Sequence, residues 1–158
     1  MTVREVTPAI DPETLLAGAQ FVDAFRIDIR DRALDARHAA ERMMGRSPRW
    51  IATLISLRNF LMRPFGLKTS GANAATPREM IGIFPLLSET PDRLVAGFDD
   101  KHLDFRVVVD ISAPAARRNV TMTTVVLTHN LLGRAYLAAI MPFHKIVVRT
   151  MLQQVAKA

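Results

Sequence analysis

The sequence predicts an α+β fold in which an antiparallel β-sheet wraps around a long C-terminal helix, and three observations predict it. The final stretch, Thr128 to Ala158, repeats apolar side chains at Leu132, Tyr136, Ile140, Phe143, Val147, Met151 and Val155, the spacing of one face of a 3.6-residue helix. Four strand-like runs precede it, Met80 to Leu87, Arg93 to Phe98, Leu103 to Ile111 and Val120 to Thr128. Only the short, turn-rich links SETPD, DDKH and SAPAARRN separate them, and links that short join antiparallel neighbours. Helices and strands are thus segregated along the chain, which argues against a parallel α/β sheet.

Taken in order, residues 1–18 read as an irregular lead-in broken by Pro8 and Pro12, with Asp11 placed to cap a short turn at Pro12. Phe21, Phe25, Ile27 and Ile29 then alternate with Val22, Ala24, Arg26, Asp28 and Arg30, a half-buried strand on whose apolar face Asp23 is the misfit. Two short helices follow. Ala36, Ala39, Ala40, Met43 and Met44 share the face of the first, which Gly45 ends. The second starts at Ser47 and Pro48, presents Trp50, Leu54, Leu57 and Leu61, and stops at Pro64 and Gly66. The small, polar run from Leu67 to Pro77 reads as a loop. The clearest strand is the third of the meander, with Leu103, Phe105, Val107, Val109 and Ile111 on one face and Asp104, Arg106, Val108 and Asp110 on the other. One domain over residues 1–158 accommodates all of this.

Bulk properties remove several classes of function. The formal charge of +6 comes without a run of like charges or a nucleic-acid motif, so specific nucleic-acid binding is not expected. With no cysteine there is no disulfide framework, thiolate site or cysteine nucleophile. The N-terminus lacks the basic start and apolar run of a secretory signal. Arg134, His144, Lys145 and Arg149 interrupt the C-terminal helix short of the ~20 apolar residues of a transmembrane span. A cytoplasmic protein is expected. His102, Asp104, His129 and His144 are suitable metal ligands, yet no HExxH spacing or i, i+4 pair of histidines occurs, so neither a metal nor another cofactor is expected.

Three stretches, SPRWIATLISLRNFLMRPFGLK, IGIFPLLSETPDRLVAGFDDKHLDFR and THNLLGRAYLAAIMPFHKIVVRTML, resemble an uncharacterised bacterial family of the DUF2867 kind. The element order resembles the helix-grip folds of the START-like (SRPBCC, polyketide cyclase and lipid-transfer) superfamily. That resemblance implies a cavity between sheet and helix that takes a small hydrophobic molecule. It brings no catalytic residues, and fold alone does not give function.

The residues themselves supply candidates for lining such a cavity. Trp50, Phe84, Phe105, Tyr136, Ile140 and Phe143 are candidate apolar wall, each equally suited to plain core. His129, at the strand-to-helix junction beside the capping candidates Thr128 and Asn130, suits an acid–base group or ligand donor. His144 follows Pro142, whose missing N–H should bend the helix or loosen a turn; either it shapes the cavity or it is a satisfied core histidine. Arg106 shares a strand face with His102 and Asp104, as an anchor for an anionic ligand group or as part of a solvent-facing charge ladder, the reading that clean alternation favours. Two other readings remain open. An enzyme of cyclase, hydrolase or isomerase type would need a histidine in the cavity wall. A non-catalytic interaction module would show an exposed apolar patch rimmed by Lys and Arg. A homodimer is compatible with the sequence.

Overall fold

The computed structural model describes residues 2–45, 49–50, 52–53, 56, 79–81, 84–99, 102–112 and 117–157. Among these residues seven strands form one antiparallel sheet: β1 (Arg4–Val6), β2 (Phe21–Ile29), β3 (Met80–Ile81), β4 (Phe84–Glu89), β5 (Arg93–Asp99), β6 (Leu103–Ser112) and β7 (Arg118–Thr128), in the order β1-β2-β7-β6-β5-β4-β3. Two helices are fully delimited, α1 (Ala36–Gly45) and α2 (Leu131–Ala156). The α+β architecture with a long C-terminal helix is therefore as expected and consistent with a helix-grip. Of the second short helix only Arg49, Trp50, Ala52, Thr53 and Ser56 are described, all helical; the remainder of it and the loop from Leu67 to Pro77 lie outside the described residues.

Three details depart from the sequence reading. The lead-in contains β1, which pairs with β2 through Arg4↔Arg26, Glu5↔Phe25 and Val6↔Ala24. A three-residue edge strand is too short for alternation to be visible. Asp11 does cap the following turn, its carboxylate accepting the Glu13 N–H at 3.1 Å. The run Met80 to Leu87 is two strands, paired antiparallel with Met80 opposite Pro85 and Ile81 opposite Phe84. The sheet, finally, has no wet central face. Val108, Val125, Ala24 and Thr123 on its outer side are as buried as Val107, Val109 and Met122 on its inner side. The lead-in contributes to that cover: Leu16 is buried, and Gly18, with φ +81°, passes close to Leu127.

The inner face holds the core. Register places Phe25 beside Met122, Met122 beside Val109, and Val109 beside Leu94, all buried. Onto this layer α1 sets Ala36, Ala39, Ala40 and Met43, all fully buried; three alanines keep that helix close to its neighbours. Asp35 starts it, accepting the His38 N–H at 2.8 Å while its carbonyl accepts from Ala39, the geometry of an N-cap. Arg37 ties the helix to the sheet edge through both oxygens of Glu89 (2.9 and 2.7 Å) and one of Glu79 (2.6 Å). Those carboxylates hold the guanidinium above its usual range, and it in turn lowers Glu79.

The cap gives a pH test. The His38 backbone N–H, with the His38 ring adding to it and burial opposing it, holds the Asp35 carboxyl below the ordinary aspartate range. A folded-state pKa below the unfolded one stabilises fully above the unfolded value and is lost as pH falls through the folded value. Asp35→Ala is expected to cost about 1 kcal/mol at neutral pH. Urea titrations should show that difference shrinking below about pH 4. Asp35→Asn, which retains the acceptor oxygen, should keep most of the stability.

Candidate functional site

The sequence places the apolar stripe of α2 through Leu132, Tyr136, Ile140, Phe143, Val147, Met151 and Val155; the structure buries Met151 and Val155 and packs Val147 on the core, but turns the stripe aside at Phe143. The side facing the sheet runs through Gly133, Leu137, Met141, His144, Val148, Leu152 and Val155, of which Gly133, Val148, Leu152 and Val155 are buried. Phe143 instead faces outward and is 54 % exposed. The physical reason is Asp23. On the inner face of β2 this carboxylate is buried, and the His144 ring meets it with Nε2 at 3.0 Å from Oδ2 and 3.3 Å from Oδ1. A buried carboxylate requires a hydrogen-bonding partner, and pointing His144 at it sets the rotation of the whole helix. The helix continues through Pro142, which is exposed.

Between the N-terminal half of α2 and the ends of β2 and β7 lies a cleft of about 480 Å³. Gln20, Phe21 and Thr128 come from the ends of β2 and β7; Arg134, Leu137, Ala138 and Met141 come from α2. Phe21 belongs to both the cleft and the buried pair, for its ring meets the His144 ring edge-on at 5.8 Å. Gln20 closes the sheet end, its side-chain oxygen accepting both the Thr128 N–H at 2.9 Å and the Thr128 hydroxyl. Next to Asp23 in register lies Thr124, a polar neighbour whose buried hydroxyl has no hydrogen-bond partner among the described residues. Pro142 has no N–H to give to the carbonyl of Ala138, a residue of the cleft wall.

The sequence-derived candidates fall into separate places. Asn130 is the cap of α2, accepting the Gly133 N–H at 2.9 Å. Beside it, half-exposed His129 meets Asp104 at 3.0 Å, and His102 meets the Asn130 amide at 2.8 Å. His129 precedes α2, whereas His144 lies within it, about 20 Å along the axis from Leu131 at 1.5 Å per residue. Arg106 is not a solvent-facing rung: its side chain, 15 % exposed, bonds the carbonyls of Phe105 (2.9 Å) and Phe98 (3.3 Å) and pairs with Asp99 at 2.8 Å. Phe84 and Phe105 come together on the inner face, stacked at 5.1 Å with Phe98 completing the cluster. Tyr136 and Ile140 are half-buried on the flank of α2, and Trp50 is 42 % exposed. None of the nine lines the cleft. The described residues bring together no group of three or more His, Asp or Glu able to hold a metal ion.

The cleft residues were not singled out by sequence reasoning, although a signal existed. Asp23 on an apolar strand face demands a polar partner from the covering helix, and His144 supplies one. Placing His144 inward brings Leu137 and Met141, seven and three residues earlier, to the same side.

An antiparallel α+β fold with an open cleft between sheet and C-terminal helix, and a buried Asp–His pair beside the cleft residue Phe21, defines an architecture rather than a reaction. Residues 15–151 match the family model described as "Protein of unknown function (DUF2867)", and the chain belongs to that family. No curated protein and no solved structure matches it.

Proposed function

We propose that this protein is a START-like helix-grip domain that holds a small, mostly apolar molecule in the cleft between β2, β7 and α2. The observation carrying this reading is the cleft itself. Its volume of about 480 Å³ lies within the range of small-molecule sites, and Phe21, Leu137, Ala138 and Met141 give it apolar walls with few polar groups at the rim, the usual makeup of such sites. Gln20, Thr128 and Arg134 supply those polar groups, Arg134 as an exposed cation suited to an anionic or carbonyl end of the ligand. An enzyme working through a cleft histidine lacks support, because no histidine lines the cleft.

Native mass spectrometry of the freshly purified protein, followed by denaturation, tests this reading by identifying what is released. The apolar anion 1-anilinonaphthalene-8-sulfonate serves as a probe. Ala138 is exposed on the cleft wall, so Ala138→Trp fills the cleft without entering the core. It should cut probe binding by at least about fivefold while the unfolding transition stays put. No released molecule together with unchanged probe binding in Ala138→Trp would reject the reading.

A further inference from the structure

Helix α2 has a second surface that the cleft does not use. Its side turned away from the sheet carries Leu131, Phe143 and Ile146, exposed by 79, 54 and 55 %, with exposed Ala135, Ala139 and Pro142 between them. In the most apolar 18-residue window of the helix only 11 % is buried, whereas a helix apolar all round belongs inside a core or a membrane. Charge is concentrated in the same part of the chain. Residues 1–110 hold fifteen Lys and Arg against fifteen Asp and Glu; residues 111–158 hold six against none. The whole formal charge of +6 therefore resides in the last 48 residues, and Arg134, Lys145, Arg149 and Lys157 of that group are exposed on α2 or at its end.

We propose that this face of α2 docks onto the surface of an anionic lipid bilayer, with the helix lying in the plane of the interface. Exposed apolar side chains flanked by cations, without an intervening acid, are the makeup of interfacial helices, and each cation near an anionic leaflet adds attraction. Length and composition would let α2 span a membrane, but Val148, Met151, Leu152 and Val155 are buried in the core, so the helix cannot leave the sheet without dismantling the fold. A second copy of this chain is the poorer occupant, because pairing two such faces sets basic flank against basic flank. Lys145 meets Glu5 at 3.4 Å through two half-exposed side chains, a contact weak enough to yield to lipid phosphate.

Sedimentation with sucrose-loaded vesicles decides the matter. The protein should bind vesicles of mixed phosphatidylcholine and phosphatidylserine, bind pure phosphatidylcholine roughly tenfold less, and lose anionic binding as salt rises. The double variant Phe143→Glu/Ile146→Glu, altered only at outward positions, should bind at least about tenfold more weakly while keeping its circular dichroism and its cleft-probe binding. That last readout separates this proposal from the cleft reading. Should the double variant not fold, Lys145→Gln/Lys157→Gln should weaken anionic binding while leaving any residual binding to phosphatidylcholine unchanged. Absence of vesicle binding by the wild type overturns the proposal, as does equal binding by the variants. A dimer in light scattering that Phe143→Glu/Ile146→Glu turns into a monomer also overturns it, assigning the face to a second copy.

Discussion

His144→Leu is expected to destabilise the fold by about 3 kcal/mol, and Asp23→Val added to it should restore most of the loss. Asp23 is 6 % exposed and the His144 side chain 12 %, so leucine would leave a carboxylate inside the core without the ring nitrogen that now meets it. Breaking one partner of a buried pair typically costs 3–5 kcal/mol, whereas replacing both by apolar residues of similar size is near neutral. Valine suits the strand position through its β-branch, and leucine continues the stripe of Leu137, Val148 and Leu152. The expected signature is non-additivity, with each single variant unstable and the double close to wild type. Urea unfolding of the four proteins measures it. A double variant as unstable as the sum of its parts would show that the two residues are not coupled. A His144→Leu loss under about 1 kcal/mol would show that the ring does not satisfy the carboxylate. Because His144 sets the rotation of α2 and touches Phe21 at 5.8 Å, the single variant should also weaken binding of the cleft probe.

How far the fold is legible in the sequence depends on whether hydrophobicity alone decides each element. In β6 it does, since the period survives over 10 residues, and β2 too lies where alternation puts it despite the one interruption at Asp23. For α1 the alanines at 36, 39 and 40 suffice. Hydrophobicity misleads where a polar residue is doing the job of an apolar one. His144 holds a core-facing position while Phe143 is spent on the surface, so a stripe drawn through the greasiest residues of α2 goes astray at Phe143, although its end, Met151 and Val155, is buried. The cleft was lost with it, because Leu137 and Met141 belong to the stripe that His144 marks. Two further features have no period to read: β1, too short, and the burial of the outer sheet face, which depends on segments remote in sequence crossing it. Arg106 illustrates that last point. Alternation alone predicts a wet rung, but the missing side chain at Gly97, its register partner, leaves room for the guanidinium to fold back on the carbonyls of Phe98 and Phe105.

Gly133→Ala should lower stability by about 2 kcal/mol or more, against the ordinary preference of a helix for alanine. At an open helical site the exchange would gain up to about 1 kcal/mol, so the sign of the change is the test. Gly133 lies in the first turn of α2, where a Cβ would come within 2.1 Å of the His102 carbonyl oxygen and 3.1 Å of its carbon. That oxygen is backbone and already accepts the His129 N–H at 2.9 Å. The Asn130 side chain, which caps Gly133, is in turn held by the His102 ring. An added methyl can be relieved only by tilting the helix start away from β6, which loosens both contacts. Thr128, with its Cβ 3.5 Å from the same point, and Arg134, the next residue along, both line the cleft, so the tilt opens the site as well. Gly133→Ala should therefore bind the cleft probe more weakly than its stability loss alone explains, when compared with Gly97→Ala. In that control the strain is equally local, with φ +157° and a Cβ 2.1 Å from the Phe105 carbonyl oxygen, but it lies on β5, whose residues do not line the cleft. A rise in melting temperature for Gly133→Ala would mean that α2 does not begin against β6; a loss of stability with unchanged probe binding would mean that the helix start and the cleft move independently.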